Sequence, residues 1–98
     1  RHPPIVGAIK RQADALDQVI FAGFTHAPAE ETAEKLLALV GRSLGTSDLA
    51  HVFYSDSGST AVEVALKMAL GYWRNTGERR SRIIALEHAY HGDTIGTM

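Results

Sequence analysis

The chain has 98 residues, of which 45% are hydrophobic and 21% are charged, and its formal net charge is -1. This length excludes a two-domain enzyme within the chain, and the balanced charge gives no electrostatic attraction to nucleic acid or to an anionic membrane. Cysteine is absent, which excludes a disulfide framework, and no apolar run approaches the roughly 20 residues that span a bilayer, so we expect a cytoplasmic protein.

Two helices and a loop are predicted in the first half of the chain. Apolar residues recur every three or four positions after Pro3-Pro4, which predicts a helix over residues 4–16. The stretch IFAGFTHAP that follows combines aromatic residues with glycine and proline, so we expect an ordered loop. A second helix is predicted to begin at Pro28, with glutamates in its first turns, and to end at Gly41 or Gly45.

The second half alternates between strand and helix patterns. HVFYS, residues 51–55, follows the turn-prone residues 46–48 and is predicted as a buried strand, and IIALE, residues 83–87, is predicted as a second one. Apolar spacing predicts a helix over residues 59–75 between them, and another helix is expected to start near residue 93. The alternation favours an α/β architecture with a largely parallel sheet. Two strands do not complete such a sheet, so we expect this chain to be part of a longer one.

The segment SDSGST, residues 55–60, joins the first predicted strand to the third helix. A turn with glycine between a strand and a helix aims free backbone N–H groups at an anion, and the hydroxyls of Ser57, Ser59 and Thr60 can add donors. The alternative is an ordinary helix cap, because Thr60 and Glu63 match the capping box S/T-x-x-E and would satisfy the same N–H groups without a ligand. The pattern leaves both possibilities open.

The segment EHAYHGDT, residues 87–94, follows the second predicted strand and is expected at the same sheet edge as Gly58. Tyr90 can present its aromatic face to a flat ligand. Three side chains of this segment are of metal-binding type, namely His88, His91 and Asp93. A helix cap at Asp93 or Thr94 is the commoner explanation of such a pattern, and no metal site is predicted.

Phe24 and His26 in the loop GFTHAP form a third candidate. Taken alone, the loop leaves a functional role and a packing role open, and packing is the commoner of the two. Neither GxxxxGK[ST] nor GxGxxG occurs in the chain, so nucleoside triphosphate chemistry is not expected.

Three separated stretches, FAGFTHAPAEE, SDSGSTAVEVALKMALGYW and HAYHGDTIGTM, together resemble the N-terminal part of the large domain of class III pyridoxal-phosphate aminotransferases. The resemblance covers nearly the whole chain, and it is specific because the three motifs agree in order and spacing. It implies that residues 1–27 lead into the large domain and that residues 28–98 are the start of it. The implied fold is fold type I, a three-layer α/β/α sandwich about a mostly parallel sheet, incomplete in this chain and working as a homodimer.

The resemblance also implies roles for individual residues. Gly58 and Ser59 would hold the phosphate of pyridoxal 5'-phosphate, with Ser57 assisting, and Tyr90 would stack on the pyridine ring. The family's catalytic lysine has no counterpart here, so we assign no catalytic residue and expect this stretch alone to be inactive and not to fold stably. The lysines that lie on predicted helices outside any matching motif are Lys10, Lys35 and Lys67.

The reaction implied by the resemblance is a transamination between a small-molecule amino donor and a keto acceptor. The THAP loop and the DSGS-x-AVEVALKMAL run favour the member of the family that passes an amino group from S-adenosylmethionine to 7-keto-8-aminopelargonate in biotin biosynthesis. One alternative is another class III transaminase that acts on an ω-amino acid or an amine. A second alternative is a small, helix-rich, non-catalytic binding module in which the SGS turn is only a cap.

Overall fold

The computed structural model describes residues 1–45 and 48–98, and these contain three α-helices. Helix α1 spans Pro3–Ala15, helix α2 spans Ala27–Leu44 and helix α3 spans Gly58–Asn75. The three helices predicted from apolar spacing are therefore confirmed. The chain divides into two compact units, Arg1–Val52 and Phe53–Met98. The division at residue 27, which the resemblance suggested, stays a prediction for the longer protein.

The first unit contains α1, the ordered loop and α2. Proline occupies the first turn of both helices, where its missing N–H is not needed by the helix. Helix α2 ends at Gly45, whose φ of 65° lies in the left-handed region that glycine adopts without a steric penalty. Gly45, and not Gly41, is thus the stop signal. The turn-prone residues 46 and 47 lie outside the described residues.

The second unit contains α3 and the segments on both sides of it. The helix ends at Thr76, whose N–H donates to the carbonyl oxygen of Tyr72 at 3.0 Å, and Gly77 follows with a φ of 81°. The guanidinium of Arg80 then folds back over the ring of Trp73, 3.9 Å from the ring centroid. The predicted closure of the helix at Gly77 is confirmed.

The two predicted strands are not formed, since no β-strand occurs anywhere in the described ranges. Residues 51–55 and 83–87 have side chains that favour strands, but strand geometry is stable only when a neighbouring strand accepts and donates the backbone hydrogen bonds. The burial predicted for residues 51–55 is wrong as well, since Phe53 is 63% exposed, and in the second segment Ile84 is 96% exposed. The α/β sheet is therefore not formed by these residues, and the fold type I sheet stays a prediction for the longer protein.

The helix expected to start near residue 93 is replaced by a single turn. The N–H groups of Thr97 and Met98 both donate to the carbonyl oxygen of Thr94, at 2.9 Å and 3.1 Å. Thr97 is buried although it is polar, and its hydroxyl is satisfied within the same turn by Thr94. This turn forms the end of what we call the Tyr90 loop, residues 90–97.

Little apolar surface is buried in the described parts of the chain. Ala29 is their one buried hydrophobic residue, and large apolar side chains on each helix remain exposed, such as Ile9, Leu39 and Met68. Exposed apolar surface of this extent marks regions that pack against other polypeptide. None of the described helices is long and apolar enough to cross a membrane.

Candidate functional site

Helix α3 begins at a reciprocal cap. The hydroxyl oxygen of Ser57 accepts from the N–H of Thr60 at 3.2 Å, and the hydroxyl oxygen of Thr60 accepts from the N–H of Ser57 at 3.0 Å. Ser57 has an extended backbone, with φ -152° and ψ 167°, so it is the last residue before the helix. The capping box predicted for Thr60 and Glu63 is therefore wrong, because the helix starts earlier and the box joins Ser57 to Thr60.

The cap leaves two N–H groups at the start of α3 free. Ser57 satisfies the N–H groups of Thr60 and Ala61, whereas those of Gly58 and Ser59 have no acceptor among the described residues. Free N–H groups and the positive end of the helix dipole together favour an anion at this position. Apart from Gly58 itself, its two chain neighbours and the nearby helix backbone, no atom lies within 4 Å of the place where a side chain on Gly58 would begin, so a ligand can approach the backbone there. Cap and anion site thus coexist.

Two hydrogen bonds hold the Tyr90 loop against α3. The N–H of Asp93 donates to the hydroxyl oxygen of Ser59 at 3.0 Å, and the N–H of Gly96 donates to both carboxylate oxygens of Glu63 at 3.2 Å. Ser59 and Glu63 lie four positions apart and therefore share one face of the helix. Sequence reasoning missed both contacts, because each joins residues more than thirty positions apart, as shown by their separations of 34 and 33.

A cavity of about 370 Å³ lies between the start of α3 and the Tyr90 loop. Gly58, Ser59 and Tyr90, the three residues that the resemblance assigned to cofactor binding, all line it. The rest of its lining is formed by Ser57, Val62, His91 and Gly92. The structure thus brings the three residues together without the sheet edge that the sequence had suggested. The volume falls within the range of small-molecule sites, about 300–1,000 Å³.

The phenol of Tyr90 is fixed by a neighbouring carboxylate. Its hydroxyl donates to Oδ2 of Asp93 at 2.6 Å, while the ring stays open to solvent, with the residue 75% exposed. The hydrogen bond to Asp93 raises the pKa of Tyr90 above its ordinary value of 10.0, and a smaller contribution from desolvation acts in the same direction. The phenol is therefore neutral and is held in one orientation by the loop that carries it.

The raised pKa gives a testable pH dependence. Because the folded protein favours the protonated phenol, this group adds stability below pH 10.0, and the stability is lost as the pH rises through the raised pKa. Replacing Asp93 with Asn removes the charge, so we expect Tyr90 to titrate closer to 10.0 in that variant. Ultraviolet absorbance of tyrosinate measures the titration, and Tyr90→Phe identifies the signal. An identical titration in the Asp93→Asn variant would contradict the assignment.

Of the two candidates in the loop GFTHAP, His26 has a structural role and Phe24 has no role that the structure reveals. His26 is the N-cap of α2, where its Nδ1 accepts from the N–H of Ala29 at 3.4 Å, and its ring stacks on Phe21 at 5.4 Å between centroids. The structure thus supports packing for His26. Phe24 is 65% exposed.

The histidines of the second unit do not form a metal centre. His88 adopts a left-handed backbone, with φ 61°, in an exposed turn where its Nε2 lies 3.8 Å from Glu87. In residues 1–45 and 48–98, no three histidine, aspartate or glutamate side chains converge as metal ligands would. Asp93 is not a helix cap, because no helix follows it and its carboxylate accepts from Tyr90.

The residues around the cavity suit a flat, aromatic phosphate monoester. Two free N–H groups and the hydroxyl of Ser59 can donate to phosphate oxygens at the helix start. Val62 and the ring of Tyr90 supply apolar and aromatic surface beside them. The donor set and the neighbouring ring therefore fit pyridoxal 5'-phosphate.

Comparisons with known proteins agree on one family. The model of the class-III aminotransferases matches residues 1–98. Proteins named adenosylmethionine-8-amino-7-oxononanoate aminotransferase are similar to essentially the whole chain. The protein of this name from Synechococcus elongatus is 56% identical over 97 residues, which cover 99% of this chain and 22% of the relative. That of Nitratidesulfovibrio vulgaris is 46% identical over 101 residues, 100% of this chain and 18% of the relative. The chain thus spans about a fifth of the length of these relatives. No solved structure gives a significant match.

Proposed function

The chain belongs to the class-III aminotransferase family, whose members depend on pyridoxal phosphate, and from this premise we propose that the protein containing it transfers amino groups between small molecules. The observation that carries the proposal is the convergence of Gly58, Ser59 and Tyr90 on one cavity at the start of α3. Gly58 and Ser59 are adjacent, whereas Tyr90 comes from a segment far from them in the sequence. A helix cap without a ligand would not need an aromatic side chain placed beside it.

We assign the phosphate of the cofactor to the start of α3. The free N–H groups of Gly58 and Ser59 would donate to its oxygens, at a position where the helix dipole favours negative charge. The oxygen of Ser59 already accepts from Asp93, so its own proton is available to the phosphate. Ser57 has the smaller role, because its hydroxyl is engaged by Thr60 in the cap.

Tyr90 contributes the aromatic surface on which the pyridine ring stacks. The hydrogen bond from its hydroxyl to Asp93 limits rotation of the side chain, so the face of the ring is oriented before the cofactor arrives. When bound, pyridoxal phosphate supplies the electron sink on which the exchange of the amino group depends.

For the substrates, we propose S-adenosylmethionine as amino donor and 7-keto-8-aminopelargonate as acceptor, a step of biotin biosynthesis. The support is the agreement of relatives that carry adenosylmethionine and 8-amino-7-oxononanoate in their names, with identities of 56% and 46% across essentially the whole chain. We further propose that the protein is a cytoplasmic homodimer of fold type I, with the sheet completed by sequence outside this chain.

The experiment that tests the function uses the full-length protein. Purified with pyridoxal phosphate, it is expected to show the visible absorbance of bound cofactor. It is also expected to convert 7-keto-8-aminopelargonate to the diamino product, with S-adenosylmethionine as the amino donor. Alanine and 4-aminobutyrate are the comparison donors, and we expect neither to replace S-adenosylmethionine. Turnover with 4-aminobutyrate would instead identify another class III transaminase. Failure to bind the cofactor at all would favour the alternative interpretation, a non-catalytic binding module.

A further inference from the structure

Glu63 makes a contact that neither the cap nor the cavity explains. It lies in the second turn of α3, is half-buried, and does not line the cavity that contains Tyr90. Both of its carboxylate oxygens lie 3.2 Å from the N–H of Gly96, across a sequence separation of 33 residues. A charged acceptor makes this a stronger hydrogen bond than one between neutral groups.

Gly96 fits this contact because it has no side chain. A Cβ added to Gly96 would lie 3.0 Å from Oε1 and 3.1 Å from Cδ of Glu63, closer than most Cβ atoms approach other atoms. A side chain at position 96 would therefore require the Glu63 carboxylate to shift by a few tenths of an ångström. This close approach and the hydrogen bond are two separate indications that the loop is docked on Glu63.

Two residues of α3 hold the Tyr90 loop at different points. Ser59 holds Asp93, the residue that also accepts from the phenol of Tyr90. Glu63 holds Gly96, one helical turn further along the same face of α3. One attachment leaves a loop free to pivot, whereas two attachments one turn apart fix its direction along the helix.

We propose that Glu63 is a positioning residue, which docks the Tyr90 loop on α3 and thereby sets where the ring of Tyr90 lies relative to the phosphate-binding start of the helix. The proposal rests on the proposed function, since it concerns the placement of Tyr90 against the cofactor. Glu63 does not line the cavity that the phosphate donors share with the aromatic ring. Its effect passes through the backbone of the loop.

The test compares Glu63→Ala and Glu63→Gln with the unaltered full-length protein. Alanine removes the acceptor, whereas glutamine keeps one carbonyl oxygen without the charge. The matched control is Glu34→Ala, which removes an exposed glutamate from α2. Alanine favours helix, so each alanine variant retains the helical signal in far-ultraviolet circular dichroism.

Four measurements are expected to separate positioning from general destabilisation. For Glu63→Ala, the dissociation constant for pyridoxal phosphate rises about tenfold, as expected for the loss of one charge-assisted hydrogen bond, and the visible circular dichroism of the bound cofactor changes. Inorganic phosphate, used as a competitor, binds as tightly as before. In the cofactor-free protein, hydrogen exchange of residues 90–97 becomes about tenfold faster while that of α2 is unchanged. For Glu63→Gln, each measured value is expected to lie between that of the unaltered protein and that of Glu63→Ala.

Other outcomes overturn the proposal in distinguishable ways. An unaltered protein that binds no pyridoxal phosphate overturns the proposed function, and the cofactor role of Glu63 with it. If the unaltered protein binds the cofactor and Glu63→Ala matches it in affinity and in hydrogen exchange, the role of Glu63 alone is refuted. Equal weakening of pyridoxal phosphate and inorganic phosphate would mean that Glu63 supports the start of the helix, not the position of Tyr90.

Discussion

Replacing Gly92 with Ala is expected to destabilise the full-length protein by about 3 kcal/mol and to detach the Tyr90 loop from α3. The φ of Gly92 is 142°, a backbone conformation that side-chain-bearing residues rarely adopt. A Cβ at this position would also lie 2.7 Å from Cβ of Ser59 and 2.6 Å from the hydroxyl oxygen of Thr97. Neither neighbour can move cheaply, because Ser59 is held by the helix and Thr97 is buried.

Chemical denaturation of the full-length protein measures this loss of stability. The matched control is Gly71→Ala, because Gly71 lies inside α3 and nothing lies within 4 Å of its added Cβ. This control is expected to stabilise the helix by about 0.5–1 kcal/mol. If both variants shift the denaturation midpoint in the same direction, the close approach of Gly92 to Ser59 and Thr97 does not describe the protein.

Replacing Ser59 with Ala is expected to weaken the binding of pyridoxal phosphate by about thirtyfold to a hundredfold. The variant loses the hydroxyl that we propose as a donor to the phosphate and, at the same time, the acceptor for the N–H of Asp93. Each loss removes a hydrogen bond at the same end of the cavity. Titration of the cofactor-free, full-length protein with pyridoxal phosphate, followed by visible absorbance, measures the effect.

Ser57→Ala is the matched control for this second prediction. The hydroxyl of Ser57 is engaged in the cap with Thr60, so its loss is expected to reduce stability by about 1 kcal/mol. The affinity for pyridoxal phosphate should change far less than in Ser59→Ala. A larger loss of affinity in Ser57→Ala than in Ser59→Ala would move the phosphate site from the helix start to the cap residue.

The helices could be predicted because the interactions that form them are local. Apolar spacing of three and four residues, proline at the helix starts and glycine past the end of α2 all act within a few positions of one another. The error in the cap of α3 has the same origin. The pairs Ser57–Thr60 and Thr60–Glu63 both satisfy local capping rules. Ser57–Thr60 forms the cap because the extended backbone ends at Ser57 and because the carboxylate of Glu63 accepts from the N–H of Gly96.

The strands were mispredicted because strand preference is a property of context. The side chains of residues 51–55 and 83–87 favour a pleated, half-buried surface, and such a surface exists only where neighbouring strands supply it. In the described chain these residues are largely exposed, as Phe53 and Ile84 illustrate. The fold type I sheet therefore remains a prediction about the longer protein, and it rests on the family.

The amino-acid sequence was sufficient for the helices and for the family, and it singled out Gly58, Ser59 and Tyr90, whose binding of a cofactor stays a proposal. Their meeting at one cavity and the attachment of the Tyr90 loop to Ser59 and Glu63 depended on tertiary contacts. The physical reason is distance along the chain. Capping and helical periodicity act over three or four positions, whereas hydrogen bonds across 33 and 34 residues leave no periodic trace in the sequence and exist only once the chain has folded back on α3.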